Sequence, residues 1–123
     1  MTNAPLIAII DDDANVREAL ADLLESYGFR TSTFDGAPSF LSAQVAADCQ
    51  CIITDLQMAN MTGIQLAQHL VSEAVSTPII LITAFSTDAV RRAAAAIGIS
   101  HLLPKPLNPV ELLACIKAVL PSV

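Results

Sequence analysis

Residues Cys51 to Gly63 read C-I-I-T-D-L-Q-M-A-N-M-T-G. The apolar run Cys51-Ile52-Ile53, extended by Thr54, stops there at a single carboxylate, Asp55, and Leu56, Gln57, Met58, Ala59, Asn60 and Met61 lead on to Thr62 and Gly63. A short run without polar alternation is the pattern of a parallel strand covered on both faces. Thr62 can then cap a helix with Ile64, Ala67, Leu70 and Val71 inward, Gly63 fitting a tight entry. An aspartate after a strand is more often a turn residue than a chemical one. The role of Asp55 therefore depends on what the other strand ends bring beside it.

The same unit recurs on either side of this stretch. Leu6-Ile-Ala-Ile-Ile10 runs into Asp11, Asp12 and Asp13, and Asp13 is placed to cap a helix carrying Val16, Ala19, Leu20, Leu23, Leu24 and Tyr27 on one face, stopped by Gly28. Phe29–Phe34 is more polar and suits a sheet edge, after which Asp35, Gly36 and Pro38 lead into a helix around Phe40 and Leu41. Pro78-Ile-Ile-Leu-Ile82 ends at Thr83 and precedes a helix with Val90, Ala93, Ala94 and Ile97 inward and Gly98 as stop. Ser100–Leu103 is the fifth strand. Asn108, Pro109 and Glu111 open a last helix bearing Leu112, Leu113, Ile116, Val119 and Leu120. Five strands alternating with five helices over residues 1–123 make one doubly wound α/β domain, a parallel sheet with helices on both faces.

The totals exclude several functions. A net charge of −6 and a pI near 4.5 give no attraction to nucleic-acid backbone or anionic membrane, so neither is an expected partner. No apolar run approaches the ~18 residues of a transmembrane helix, and the M-T-N-A-P start lacks a signal peptide's charge; a cytoplasmic location is expected. Cys49, Cys51 and Cys115 are odd in number and form no second C-x-C pair, so they read as reduced, buried apolar residues rather than zinc ligands.

In a doubly wound sheet, ligands sit beyond the carboxyl ends of the strands. That edge gathers Asp11 and Asp12, Asp55, Thr83 and Lys105. Carboxylates packed together repel, and a hard divalent ion with oxygen ligands compensates; Mg2+ fits best, with Mn2+ as the alternative. Asp12, Asp55, a backbone carbonyl and waters would suffice, with Asp11 holding a water. A metal with an open position beside a carboxylate can take a phosphoryl oxygen, which would make Asp55 a nucleophile forming an aspartyl phosphate. Lys105 and Thr83 would then neutralise charge on the equatorial oxygens.

The segments I-I-D-D-D-A-N-V-R-E-A-L, I-I-T-D-L-Q-M-A-N-M-T-G, L-I-T-A and P-K-P, in this order, resemble the receiver domain of bacterial two-component response regulators across essentially the whole chain. The L-x-M-x-x-M-x-G wording is most similar to receivers of the nitrogen-fixation regulator type. The resemblance implies a flavodoxin-like (βα)5 three-layer sandwich with strand order 2-1-3-4-5. It also implies phosphorylation of Asp55 by a sensor histidine kinase or histidine phosphotransfer protein, with an output domain or effector protein as further partner. Asp11 and Asp12 would be the acidic pair and the Gln57 backbone carbonyl the third protein metal ligand. Thr83 would be the switch hydroxyl and Lys105 the phosphate contact, followed by a cis Lys105-Pro106 bond. Such a domain is no enzyme beyond its own phosphotransfer and autodephosphorylation. Dimerisation through the fourth helix, fifth strand and last helix is common among similar domains.

The chain departs from that pattern at four places. Leu102 stands at the usual aromatic switch position and Leu107 replaces the usual phenylalanine after Lys-Pro. Ala59 replaces a common proline, loosening the loop after Asp55. Phe85 puts an apolar ring two residues beyond Thr83, where it is expected to shield the phosphate from water. His69 and His101 receive no role, and Arg91 and Arg92 are expected on the outward face of the fourth helix. Leu102 and Leu107 suggest one competing reading, a degenerate receiver acting as an adaptor without phosphorylation. The other is a haloacid-dehalogenase-type phosphatase, which needs a second aspartate where Gln57 stands.

Overall fold

The computed structural model describes residues 4–99 and 101–120. Strands β1 (Leu6–Ile10), β2 (Arg30–Phe34), β3 (Cys51–Asp55), β4 (Ile79–Thr83) and β5 (His101–Pro104) form one parallel sheet in the order β2-β1-β3-β4-β5. Helices α1 (Ala14–Ser26), α2 (Ala37–Ala43), α3 (Gly63–Ser72), α4 (Asp88–Ala96) and α5 (Pro109–Val119) join and follow them, with a short 3-10 turn at Ala46–Asp48. The expected class and strand order are thus observed. Ser100, expected to open the fifth strand, lies outside the described residues.

Successive side chains point to opposite faces of a strand, so each apolar run feeds two cores. Ile7, Ile9, Cys51, Ile53, Ile80 and Ile82 meet Leu20 and Leu24 of α1 and Leu112 and Ile116 of α5. On the opposite face Ala8, Ile10 and Ile52 meet Phe40 of α2 and Leu66 and Leu70 of α3. Leu81 packs there with Leu56, Ala67 and Ala94. Burial on both faces is why β1, β3 and β4 read as unbroken apolar runs, each fully buried Ile or Leu contributing about 1.5–3 kcal/mol. Edge strand β2 pairs only with β1 and leaves Arg30 and Thr33 exposed.

The caps follow the sequence closely. Asp13 Oδ1 accepts from the Asn15 and Val16 amides at 2.9 and 3.4 Å. Asn108 Oδ1 accepts from Val110 and Glu111 at 2.9 and 3.2 Å. Thr62 caps α3 in a full box: its hydroxyl accepts from Gln65 N while Gln65 Oε1 accepts from Thr62 N. A cap of this kind is worth about 1 kcal/mol.

Four inward assignments differ. Tyr27 is the C-cap of α1 rather than part of its helical face, and it is exposed. The buried stripe of α3 is Gly63, Leu66, Ala67 and Leu70; Val71 lies about 100° further round the helix and faces solvent. Ala19 and Ala93 are likewise exposed. In α4 the inward contact narrows to Ala94, with Val90 and Ile97 half-buried beside it.

Candidate functional site

Parallel pairing brings the carboxyl ends of the strands into line. Ile10 is level with Thr54, Asp55 with Ile82, and Thr83 with Pro104. Asp11 therefore leaves β1 beside the end of β3, and Lys105 follows β5 beside Thr83, whose carbonyl accepts the Lys105 amide at 2.9 Å. The Lys105-Pro106 peptide is cis.

The side chains converge. Lys105 Nζ lies 3.2 Å from Asp55 Oδ2 and 3.6 Å from Asp11 Oδ2. Both carboxylates are buried, whereas Asp12 is exposed. One carboxylate oxygen from each of Asp11, Asp12 and Asp55 falls within 4.8 Å of the others. Burial pushes the Asp11 carboxyl above its ordinary value; the charges of Asp55 and Asp12 add to this, while the Asp13 amide bond at 2.9 Å and Lys105 oppose it. Burial would depress the Lys105 ammonium, but its hydrogen bond to Asp55 and the charges of Asp11 and Asp55 outweigh that and hold it above its ordinary value. The edge is thus an all-oxygen donor set whose negative charge one ammonium only partly offsets. That chemistry fits a hard divalent cation.

Asp55 is held from several sides. Its Oδ1 accepts the Gln57 amide at 3.4 Å, and its carbonyl accepts the Thr54 hydroxyl at 3.1 Å. The start of α3 presses close: a Cβ built on Gly63 would lie 2.6 Å from the Asp55 carbonyl oxygen. Gly63 is required here by close approach rather than by a special backbone angle.

Thr83 is fully buried, and its Oγ1 accepts the Phe85 amide at 2.9 Å, leaving the hydroxyl proton free to donate elsewhere. Phe85 is 60% exposed, so its ring is not part of the core. Ala59 is exposed; its carbonyl accepts the Met61 amide at 2.7 Å across Asn60, which has φ +70°. Leu102 is half-buried among Leu56, Leu81, Ala94 and Ile99, its register partner being Leu81 rather than Thr83. Leu107 packs against the core under α1 and α5.

Arg17 was not anticipated: its Nη1 donates to the Asp11 carbonyl at 2.7 Å. The sequence signal was a cation one turn into a helix, against the positive end of its dipole. The Gln65 half of the α3 cap was legible as T-x-x-Q.

The model of the response regulator receiver domain matches residues 7–117. The chain belongs to the response regulator receiver family. The receiver is 33% identical over 118 residues to the transcriptional regulatory protein TdiR of Thauera aromatica, covering 96% of this chain and 52% of that protein. It is 33% identical over 112 residues to the transcriptional regulatory protein FixJ of Azorhizobium caulinodans, covering 91% and 53%. The chain spans about half the length of these curated relatives. Among solved structures, the chemotaxis protein CheY4 of Vibrio cholerae superposes on the receiver with a TM-score of 0.88 at 25% identity, covering 95% and 99% of the two chains. Among the described residues, no helix is long and apolar enough to cross a membrane.

Proposed function

We propose that this receiver accepts a phosphoryl group on Asp55 from a phosphohistidine of a partner kinase or phosphotransfer protein. What carries the reading is the Lys105 ammonium standing between the two buried carboxylates of Asp11 and Asp55 at the strand ends. A carboxylate oxygen of Asp55 attacks phosphorus, the new O–P bond forms, and the bond to the donor imidazole nitrogen breaks with its electron pair leaving on that nitrogen. Catalysis of such a transfer is mainly positioning and charge neutralisation. The Lys105 ammonium follows the charge from the Asp55 carboxylate onto the phosphoryl oxygens, and the Thr83 hydroxyl donates to another of them. Asp11, Asp12, Asp55 and the Gln57 carbonyl would hold Mg2+ or Mn2+, which supplies further positive charge to those oxygens.

The output follows from the bond that Thr83 already makes. Turning Thr83 Oγ1 towards a phosphoryl oxygen disturbs its 2.9 Å bond to the Phe85 amide and so shifts the loop into α4. Leu102, already packed beneath α4, moves with it rather than swinging as a ring. The altered α4 and β5 surface is where an output domain, effector or second copy would sense the change. Coupling of about 1–3 kcal/mol is enough for such a signal.

Incubation with acetyl phosphate and Mg2+, followed by intact mass, tests the reading. One phosphoryl adduct is expected, absent in Asp55→Asn. No adduct at saturating Mg2+ would instead support a phosphorylation-independent adaptor.

A further inference from the structure

We infer that Arg17 is a positioning residue for the acidic pair, holding the turn between β1 and α1 so that Asp11 and Asp12 present their carboxylates together. The inference rests on the reading of this edge as a divalent-cation site.

Helix side chains lean towards the N-terminus, which lets Arg17 reach back over its own first turn to the Asp11 carbonyl at 2.7 Å. That carbonyl belongs to the peptide joining Asp11 to Asp12, so anchoring it fixes the plane from which Asp12 departs. The other groups of Asp11 are already engaged: its amide donates to the Phe34 carbonyl at 3.2 Å, and its Oδ1 accepts the Asp13 amide at 2.9 Å. Arg17 supplies the missing constraint. Arg17 is half-buried and lies near the positive end of α1, an unfavourable place for a cation, where its bond to the Asp11 carbonyl holds it.

Charge and positioning make opposite predictions. Removing a cation beside a Mg2+ site should, by Coulomb attraction alone, tighten Mg2+ binding. Removing a group that orients the ligands should weaken it, typically about 10-fold or more. The sign of the change separates the two.

Mg2+ titrations of the full chain at constant ionic strength, followed by the amide NMR shifts of Asp11, Asp12 and Asp13, make the test. Arg17→Met should bind roughly 10-fold more weakly, with Arg17→Lys, which keeps the charge and one shorter donor, in between. The urea midpoint without Mg2+ reports any purely structural loss separately. Wild-type binding with Arg17→Met equal or tighter overturns the inference alone; a wild-type chain whose shifts ignore Mg2+ overturns the metal-site reading with it. Should Arg17→Met not fold, Arg17→Lys decides, an unchanged affinity overturning the inference.

Discussion

Gly63→Ala probes the contact that seats Asp55. The added Cβ would lie 2.6 Å from the Asp55 carbonyl oxygen, 2.6 Å from Leu81 Cδ1 and 3.2 Å from Leu56 Cα. Leu81 is fully buried in a cluster with Leu56, Ala67, Ala94 and Ile99, and the oxygen belongs to the backbone of a central strand. Reaching ordinary contact near 3.4 Å requires the α3 start and β3 end to part by about 0.8 Å. Overpacking of this kind costs ~1–3 kcal/mol, and two obstructed atoms put the site in the upper half of that range. Alanine's helix propensity returns at most ~1 kcal/mol, leaving a net loss of about 1–2 kcal/mol. With unfolding entropy near 2.1 cal/mol/K per residue, each kcal/mol lowers Tm by about 4 °C in a chain of this length. Urea and thermal unfolding should therefore show a drop of about 4–8 °C. A misplacement of 1 Å can cost about 100-fold in rate, so phosphorylation by acetyl phosphate should slow by at least about tenfold. Gly36→Ala, whose Cβ meets only Pro38 Cδ at 3.7 Å, is the control, expected to change stability by less than ~0.5 kcal/mol. Gly63→Ala as stable as the parent, with an unchanged phosphorylation rate, would refute the reasoning.

Other consequences are separately measurable. Because the folded-state pKa of Asp11 is raised above 3.8, its contribution to stability without a divalent cation is most favourable below 3.8 and declines as pH rises through the folded value. Mg2+ should reverse that decline, so a Mg2+-induced rise in Tm should exist near neutrality and shrink on acidification as Asp11 takes up its proton; a pH-independent rise would contradict the charge assignment. Burial pushes the Cys51 thiol to about 12 from 9.0, about 1000-fold less thiolate at neutral pH. Iodoacetamide should then modify Cys115 in the native chain and reach Cys49 and Cys51 only in denaturant; native labelling of Cys51 would be inconsistent with its burial. Phe85→Ala should shorten the lifetime of the phosphorylated form by exposing it to water, and an unchanged lifetime would remove Phe85 from that role. Leu102→Ala, at a half-buried position, should lower stability by about 1–2 kcal/mol in urea unfolding; no loss would mean that Leu102 does not support α4.

The strands were legible because a sheet covered on both faces permits only apolar residues until it ends. Asp11 and Thr83 stood out as the first polar groups after such runs, and Asp55 as the first charged one after Thr54. Helix faces were less legible, since periodicity marks an angle but not its centre. In α3 the expected face ran through Ile64, Ala67, Leu70 and Val71; packing on the sheet keeps Ala67 and Leu70, adds Leu66 and turns Val71 to solvent. Tyr27 follows the period of α1 but sits where the helix has already stopped. The need for Gly63 was visible as a residue type, though its cause, the approach of the Asp55 carbonyl, is a contact between separate elements. Arg17 was hidden for a related reason: its bond is to backbone, which carries no residue signature.

Lys105 arrives last. The three carboxylates come from β1 and β3, but their ammonium enters only when β5 docks on β4 and the Lys105 amide reaches the Thr83 carbonyl. A chain with that edge undocked would hold its acidic residues without their counter-charge. Pairing of β5 with β4 and delivery of the counter-charge to Asp11 and Asp55 are therefore one structural step.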